Sequence, residues 1–193
     1  MANNKFVDFV SPRGTAKYPR LHEARSWNQA ANKSVPDPDG QYELTLLMTP
    51  EDAAVLKKKV AEASQLAGVK PKSIPFNEEV DKDTQKETGL IEVKFKAYGK
   101  KKDGSTNRVA MFDAKKHMLP ADFTLTSGSV VKAAGYVSVA KLGARLNLRS
   151  VQVIDYVEPV PSNPFDEEDG FAVSNNENNG SHNEETDEGD YDF

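Results

Sequence analysis

The chain has 193 residues, no cysteine, and 25 Lys and Arg against 30 Asp and Glu. This length allows one compact domain with a sizeable core, and the absence of cysteine excludes disulfides, thiolate zinc sites and cysteine nucleophiles. No apolar run approaches the roughly 20 residues of a membrane-spanning helix, and no signal-peptide core follows Met1, so we expect a soluble protein that is neither exported nor membrane-bound.

Charge is divided unevenly along the sequence. Residues 166–193 hold eleven Asp or Glu and no Lys or Arg, which leaves 25 basic and 19 acidic side chains in residues 1–165. A basic body suits a polyanion such as nucleic acid, and a flexible acidic segment on the same chain can compete for that surface. The pattern predicts a nucleic-acid-binding body that its own tail inhibits.

Short alternating runs separated by turn signals dominate the body, which is typical of a small all-β barrel or sandwich. The first clear run covers residues 41–48 and places Tyr42, Leu44 and Leu46 on one face. A helix follows: Thr49 is suited to the N-cap and Gly68 to the position just past the end. An apolar stripe at helical spacing identifies the face that packs on the core: Ala53, Leu56, Val60 and Ala63.

Residues 90–98 form the second clear strand, with apolar residues facing inward. Its outward face carries Lys94, Lys96 and Tyr98. A turn containing Asp-Gly follows, and residues 108–113 are predicted to return as the partner strand. The tip of this predicted hairpin presents three cations to solvent: Lys100, Lys101 and Lys102.

A second pair of strands is predicted over residues 129–142 and 144–157. The apolar phase shifts after Arg149, as a β-bulge or a barrel bend requires, and Gly135 is suited to the matching bend in the partner strand. The faces directed away from the core are again cationic and carry one aromatic ring: Lys132, Tyr136, Arg145 and Arg149.

These outward faces match what single-stranded nucleic-acid binders use, a cationic groove with exposed rings on which bases stack. Lys94, Lys96 and Tyr98 alone could equally be a surface strand kept soluble by lysines. The other cations and Tyr136 favour binding, because they belong to strands or turns of one small sheet. We expect no enzyme, metal or cofactor, since the body offers no pair of histidines for a metal or catalytic triad and has no nucleotide-binding motif.

The C-terminal segment, residues 159–193, is predicted to be a disordered acidic tail, which leaves residues 1–158 as the folded domain. It is rich in Asn, Gly and acidic residues and has few apolar ones. The chain ends on Tyr191, Asp192 and Phe193. Because a hydrophobic end on such a tail has no role in folding, it favours docking into the pocket of a partner.

Four segments resemble the single-stranded DNA-binding proteins of short-tailed bacteriophages. They are GQYELTLLMTP at residues 40–50, GLIEVKFKAYGKKKDGSTNRVAMFDAKKHML at residues 89–119, GSVVKAAGYVSVAKLGARLNLRSVQVIDYVE at residues 128–158 and the final EGDYDF. The resemblance implies an OB-type five-stranded barrel with one inserted helix, and binding of single-stranded DNA without strong sequence preference. It also implies a homodimer in the cytoplasm of the infected bacterial host, with roles in replication, recombination, repair and strand annealing.

The same resemblance implies roles for individual residues. Lys96 and Tyr98 match positions that contact DNA in the family, and Lys5 matches a basic residue near the N-terminus. Phe193 matches an aromatic end that docks on the phage DNA polymerase and primase-helicase. The chain departs from the family late in the strand at residues 138–142, where aromatic residues can occur and this sequence has none. Three rings are candidates to compensate: Tyr136, Trp27 and Tyr18.

Two alternatives remain open from the sequence. In one, the acidic tail is the active part, a DNA mimic or chaperone for basic proteins, and the barrel only carries it. In the other, the barrel binds RNA rather than DNA, which shares every sequence feature used above.

Overall fold

The computed structural model describes residues 6–159. Over these residues the chain forms nine strands and one helix. In chain order they are β1 (Val7–Val10), β2 (Gly14–Asn28), β3 (Lys33–Pro36), β4 (Gln41–Met48), α1 (Pro50–Ala67), β5 (Phe76–Val80), β6 (Glu87–Tyr98), β7 (Ala110–Phe112), β8 (Val130–Ala140) and β9 (Gly143–Asp155). No helix within the described range is long and apolar enough to cross a membrane.

Five of the strands close into a barrel. β4 pairs antiparallel with β2 on one side and with β6 on the other. β9 pairs parallel with β6 and antiparallel with β8, and β8 returns to the start of β2. The remaining strands lie outside this ring, with β1 on β8, β3 on β2, β5 on β6 and β7 on β9.

The helix forms where the sequence predicts it. The hydroxyl of Thr49 accepts a hydrogen bond from the backbone N–H of Asp52 at 3.2 Å, and Pro50 opens the first turn. Gly68 ends the helix in the left-handed conformation, with φ of 63°. Its buried face is the predicted apolar stripe, which packs on the barrel: Ala53, Leu56, Val60 and Ala63.

The core fills the inside of the barrel. Leu44 and Leu46 of β4 and Phe95 of β6 are fully buried, and the ring of Phe95 lies 5.7 Å from that of Phe9. Burial of each such side chain contributes about 1.5–3 kcal/mol. Because strand residues alternate between faces, the polar partners of these residues stand on the outer surface of β4 and β6.

The predicted pairing of residues 108–113 with β6 is wrong. The strand there covers only Ala110–Phe112 and pairs in parallel with β9. Both edges of β6 are already occupied, one by β4 and the other by β5 and β9. The segment that leaves the lysine-rich tip therefore has no free edge of β6 to join. The tip itself forms a turn, with Gly104 at φ of 82°.

A β-bulge bends the long β8–β9 pair at the predicted place. Ala134 pairs with Ser150 and Gly135 with Leu148, so Arg149 is the extra residue. A Cβ on Gly135 would lie 1.8 Å from the carbonyl oxygen of Asn147, so any other residue here would force the backbone to shift. The bulge leaves the side chain of Arg149 60% exposed on the outer surface.

Candidate nucleic-acid interface

Three adjoining depressions form one groove over the outer surface of the barrel. They have volumes of about 430, 450 and 370 Å³. Arg20 and Glu43 line both the first and the middle section, and Tyr98 lines both the middle and the last section. The groove is therefore continuous, and it crosses the faces of β2, β4 and β6 that point away from the core.

Tyr18 marks the first section of the groove. It lies where the register of β2 against β4 shifts, and its backbone adopts a φ of 47°, which few residues other than glycine do. Its side chain is exposed, with the ammonium group of Lys82 4.4 Å from the ring centroid and 2.9 Å from the hydroxyl. Lys94 of β6 lines the same section. This end of the groove thus holds an accessible ring with cations beside it.

Lys17, in the same section, already forms salt bridges to two acidic side chains. Its ammonium group donates to Glu92 at 2.7 Å and to Glu79 at 2.9 Å. The hydrogen bond to Glu92 raises the pKa of Lys17 above its ordinary value. A hydrogen bond from Thr88, followed by that from Lys17, lowers the pKa of Glu79. The cluster ties β2 to β5 and β6 and is a structural feature of the groove floor.

The middle section brings an exposed indole close to Lys96. Trp27 is 63% exposed at the end of β2, where β3 supports the strand through the pair Trp27 and Ser34. Arg20 and Lys96 lie opposite Glu43 in neighbouring strands, so the three residues form a row across the sheet. The ammonium group of Lys96 lies 2.7 Å and the guanidinium of Arg20 3.8 Å from the carboxylate of Glu43.

Tyr98 joins the middle section to the last one. Tyr98 is 54% exposed, and the guanidinium carbon of Arg145 lies 4.1 Å from the centroid of its ring. Asn107 donates to the carbonyl of Tyr98 at 2.8 Å and so holds the base of the lysine-rich tip. Within the tip, hydrogen bonds from Ser105 hold the pKa of the Asp103 carboxyl below its ordinary value. The ring thus stands beside a locally fixed turn.

Tyr136 lies in the last section but in a more enclosed setting. Its ring centroid is 4.9 Å from that of Phe6 and 4.7 Å from the guanidinium carbon of Arg149. The guanidinium also reaches the carboxylate of Asp8 at 3.4 Å. Since two neighbours already contact this ring, Tyr98 is the more accessible tyrosine at this end of the groove.

Most of the predicted DNA-contacting residues therefore share this groove. Lining it are Lys94, Lys96, Tyr98, Lys100, Lys101, Lys102, Tyr136 and Arg149. Arg145 reaches it through its stack on Tyr98. Lys132 instead lines a separate, more apolar depression with Lys116 and Phe112. Lys5, Tyr191, Asp192, Phe193 and residues 160–193 in general lie outside the described residues, and the DNA-contacting role of the whole set stays a prediction.

Sequence reasoning named Tyr18 and Trp27 of β2 as candidate stacking rings but did not place them on this surface, and it missed the cations of the same strand. Its outer face adds two rings and several cations to the groove: Tyr18, Trp27, Arg20 and Arg25, with Lys82 from the β5–β6 turn. Two register shifts interrupt the strand, so its sequence lacks the regular alternation by which the other strands are recognised. The remaining signal in the sequence is the density of aromatic and basic residues, since residues 17–27 hold two aromatic residues, Lys17 and two arginines.

Among the described residues, no three His, Asp or Glu side chains come together in the way that metal ligands do. Comparisons with known sequences identify no relative: no protein-family model and no curated protein matches this chain.

Solved structures, by contrast, do share its fold. The crystal structure of gp2.5, a single-stranded DNA-binding protein of bacteriophage T7, superposes with a TM-score of 0.60 at 17% identity, over 88% of this chain and 100% of that one. The single-stranded DNA-binding protein of bacteriophage Enc34, in complex with single-stranded DNA, gives a TM-score of 0.53 at 18% identity, over 79% of this chain and 89% of that one. The predicted fold class, an OB-type barrel with one inserted helix, is confirmed, and the resemblance to phage proteins of this kind holds for the fold.

Proposed function

We propose that this protein binds single-stranded DNA along the groove, with base stacking on its exposed rings and phosphate contacts to its cations. The observation that carries the proposal is the continuity of the groove from Tyr18 through Trp27 to Tyr98, three exposed rings on one surface. Structural likeness to two phage proteins that are named for the same activity supports it.

Stacking supplies the part of the affinity that requires an unpaired strand. Each base that stacks on an aromatic ring contributes about 1–3 kcal/mol, and every base has a face that can stack. Three rings along one groove, with cations between them, offer stacking surfaces to several bases of one strand. Binding should therefore depend little on sequence and should be strong only when the bases are free.

Phosphate contacts supply the part of the binding affinity that depends on salt concentration. Lys94, Lys101 and Lys102 line the groove and make no salt bridge to another described residue. Each phosphate neutralised on a single strand lowers the slope of log K against log salt by about 0.7. Affinity should consequently fall steeply as salt is raised.

The division of charge supports a wider proposal for the whole chain. The acidic tail competes with DNA for the groove, and its aromatic end at Phe193 recruits the phage DNA polymerase and primase-helicase. The protein then coats and protects single strands in replication, recombination and repair, promotes annealing as a homodimer, and works in the cytoplasm of the infected host. Support for these roles is the sequence resemblance together with the 11 acidic residues of residues 166–193.

Fluorescence polarisation of a labelled single-stranded oligonucleotide tests the proposal. The full chain and a chain ending at Phe165 are titrated at low and at moderate salt. We expect salt-sensitive binding that tightens on truncation, because the competing polyanion is gone. If neither form binds, the barrel is not the binding module, and the tail should be tested against basic proteins. Competition with an RNA oligonucleotide of the same sequence distinguishes a DNA binder from an RNA binder.

A further inference from the structure

Several cations of the groove already form salt bridges to carboxylates of the same domain. Lys96 and Arg20 share Glu43, at 2.7 and 3.8 Å. The same arrangement recurs in the last section, where the ammonium group of Lys100 lies 2.6 Å from the carboxylate of Asp39. The free groove is therefore partly neutralised along its length, although its cations are numerous.

A phosphate that approaches Lys96 must displace Glu43 from it. Both side chains are more than a third exposed, so the pair is solvated and can be exchanged at little cost. The displaced carboxylate nevertheless remains beside the phosphate and repels it. Contact with a phosphate at this position therefore brings less free energy than contact with an unpaired lysine such as Lys94.

Glu43 does not weaken the stacking of bases on the aromatic rings of the groove. Trp27 and Tyr98 line the same middle section as Glu43, and both rings are more than half exposed. A ligand with free bases gains the full stacking contribution, whereas a duplex, whose bases stack on one another, gains only phosphate contacts, and those at Lys96 and Lys100 are weakened.

We propose that Glu43 is a specificity-determining residue, which lowers the affinity of the groove for duplex DNA more than its affinity for single strands. The proposal rests on the proposed function above. A flexible single strand can route its phosphates to the unpaired cations and avoid Glu43. A rigid duplex carries its phosphates at fixed spacing and at higher charge density, so it cannot avoid the carboxylate.

The register of the sheet explains why Glu43 is the position to change. It lies on the central strand of the groove surface, opposite Arg20 of β2 and Lys96 of β6, and it lines both the first and the middle section. Asp39 occupies a similar place beside Lys100 and provides a second, independent test.

The test uses the full chain with Glu43→Gln, which removes the charge and keeps the shape. Glu62→Gln is the matched control, because Glu62 pairs with Lys59 at 3.0 Å on the exposed face of α1 and does not line the groove. Each protein is titrated against a labelled oligo(dT) and against a labelled duplex of equal length, over a series of salt concentrations. Thermal melting confirms that each variant is folded.

We expect Glu43→Gln to tighten duplex binding by about five-fold and single-strand binding by about two-fold or less. The salt slope for the duplex should steepen by up to about 0.9, the value of one added phosphate contact. Asp39→Asn should shift the ratio in the same direction, and Glu62→Gln should leave it unchanged.

Equal tightening of both ligands, or no change in either, would overturn the inference while the groove remained a binding site. An equal effect of Glu62→Gln would also overturn it, since net charge rather than position would then be responsible. If the unaltered chain fails to bind oligo(dT) at all, the proposed function itself has failed.

Discussion

Replacing Tyr98 by alanine is the sharpest single test of the groove. The ring is 54% exposed, lines both the middle and the last section, and has Arg145 against it at 4.1 Å. Alanine removes one stacking surface, worth about 1–3 kcal/mol, so the dissociation constant for a single-stranded oligonucleotide should rise by about 5- to 150-fold. The upper part of that range is favoured because Arg145 also loses the ring that positions it.

Tyr98→Phe is the matched control. It keeps the aromatic face and the contact with Arg145, so its affinity should stay near that of the unaltered chain. Polarisation of a labelled oligo(dT) measures all three proteins, and thermal melting checks that they are equally folded, as expected for a side chain that points out of the barrel. Unchanged binding by Tyr98→Ala, or an equal loss in both variants, would refute a stacking role for this ring.

Three further predictions follow from the structure. Trp27, the single tryptophan, is exposed in the groove, so its fluorescence should be quenched as single-stranded DNA is added, and Trp27→Phe should abolish that signal. Gly135→Ala should lower the free energy of unfolding in urea by about 1–3 kcal/mol, because the backbone of Asn147 leaves no room for a Cβ; stability equal to the original would contradict this. Hydrogen bonds from Thr84 to Asp81 and from His117 to Asp113 lower the pKa of both carboxyls below 3.8. Their stabilisation is therefore complete above that pH and lost as pH falls through the lower folded values, which a urea midpoint measured from about pH 5 to about pH 2 should show, with a weaker dependence in Asp113→Asn.

Local chemistry made much of the fold predictable. The hydroxyl of Thr49 and the glycine at residue 68 each satisfy a requirement of one helix end, and both act where expected. Strict alternation in β4 likewise identified its buried face, because only one register puts Tyr42, Leu44 and Leu46 inside.

Features that depend on distant partners were not predictable in the same way. Residues 108–113 carry a reasonable strand pattern, but which strand they join depends on the edges that β5 and β9 leave open. The position of Tyr18 depends on a register shift and a left-handed backbone, and neither has a signature in the sequence of β2. Tyr18 and Trp27, which the sequence offers as candidate stacking rings without giving them a position, both lie on this irregular strand.

The bulge in β9 also affects how easily this protein could change its ligand. Arg149 has no register partner in β8, since its neighbours Leu148 and Ser150 take the paired positions. A substitution there alters the charge at one end of the groove and removes one exposed ion pair and one ring contact, but it leaves the register of β8 and β9 unchanged. The barrel can therefore explore different polyanion affinities through this one position while its strand pairing stays the same, which separates the tuning of binding strength from the maintenance of the fold.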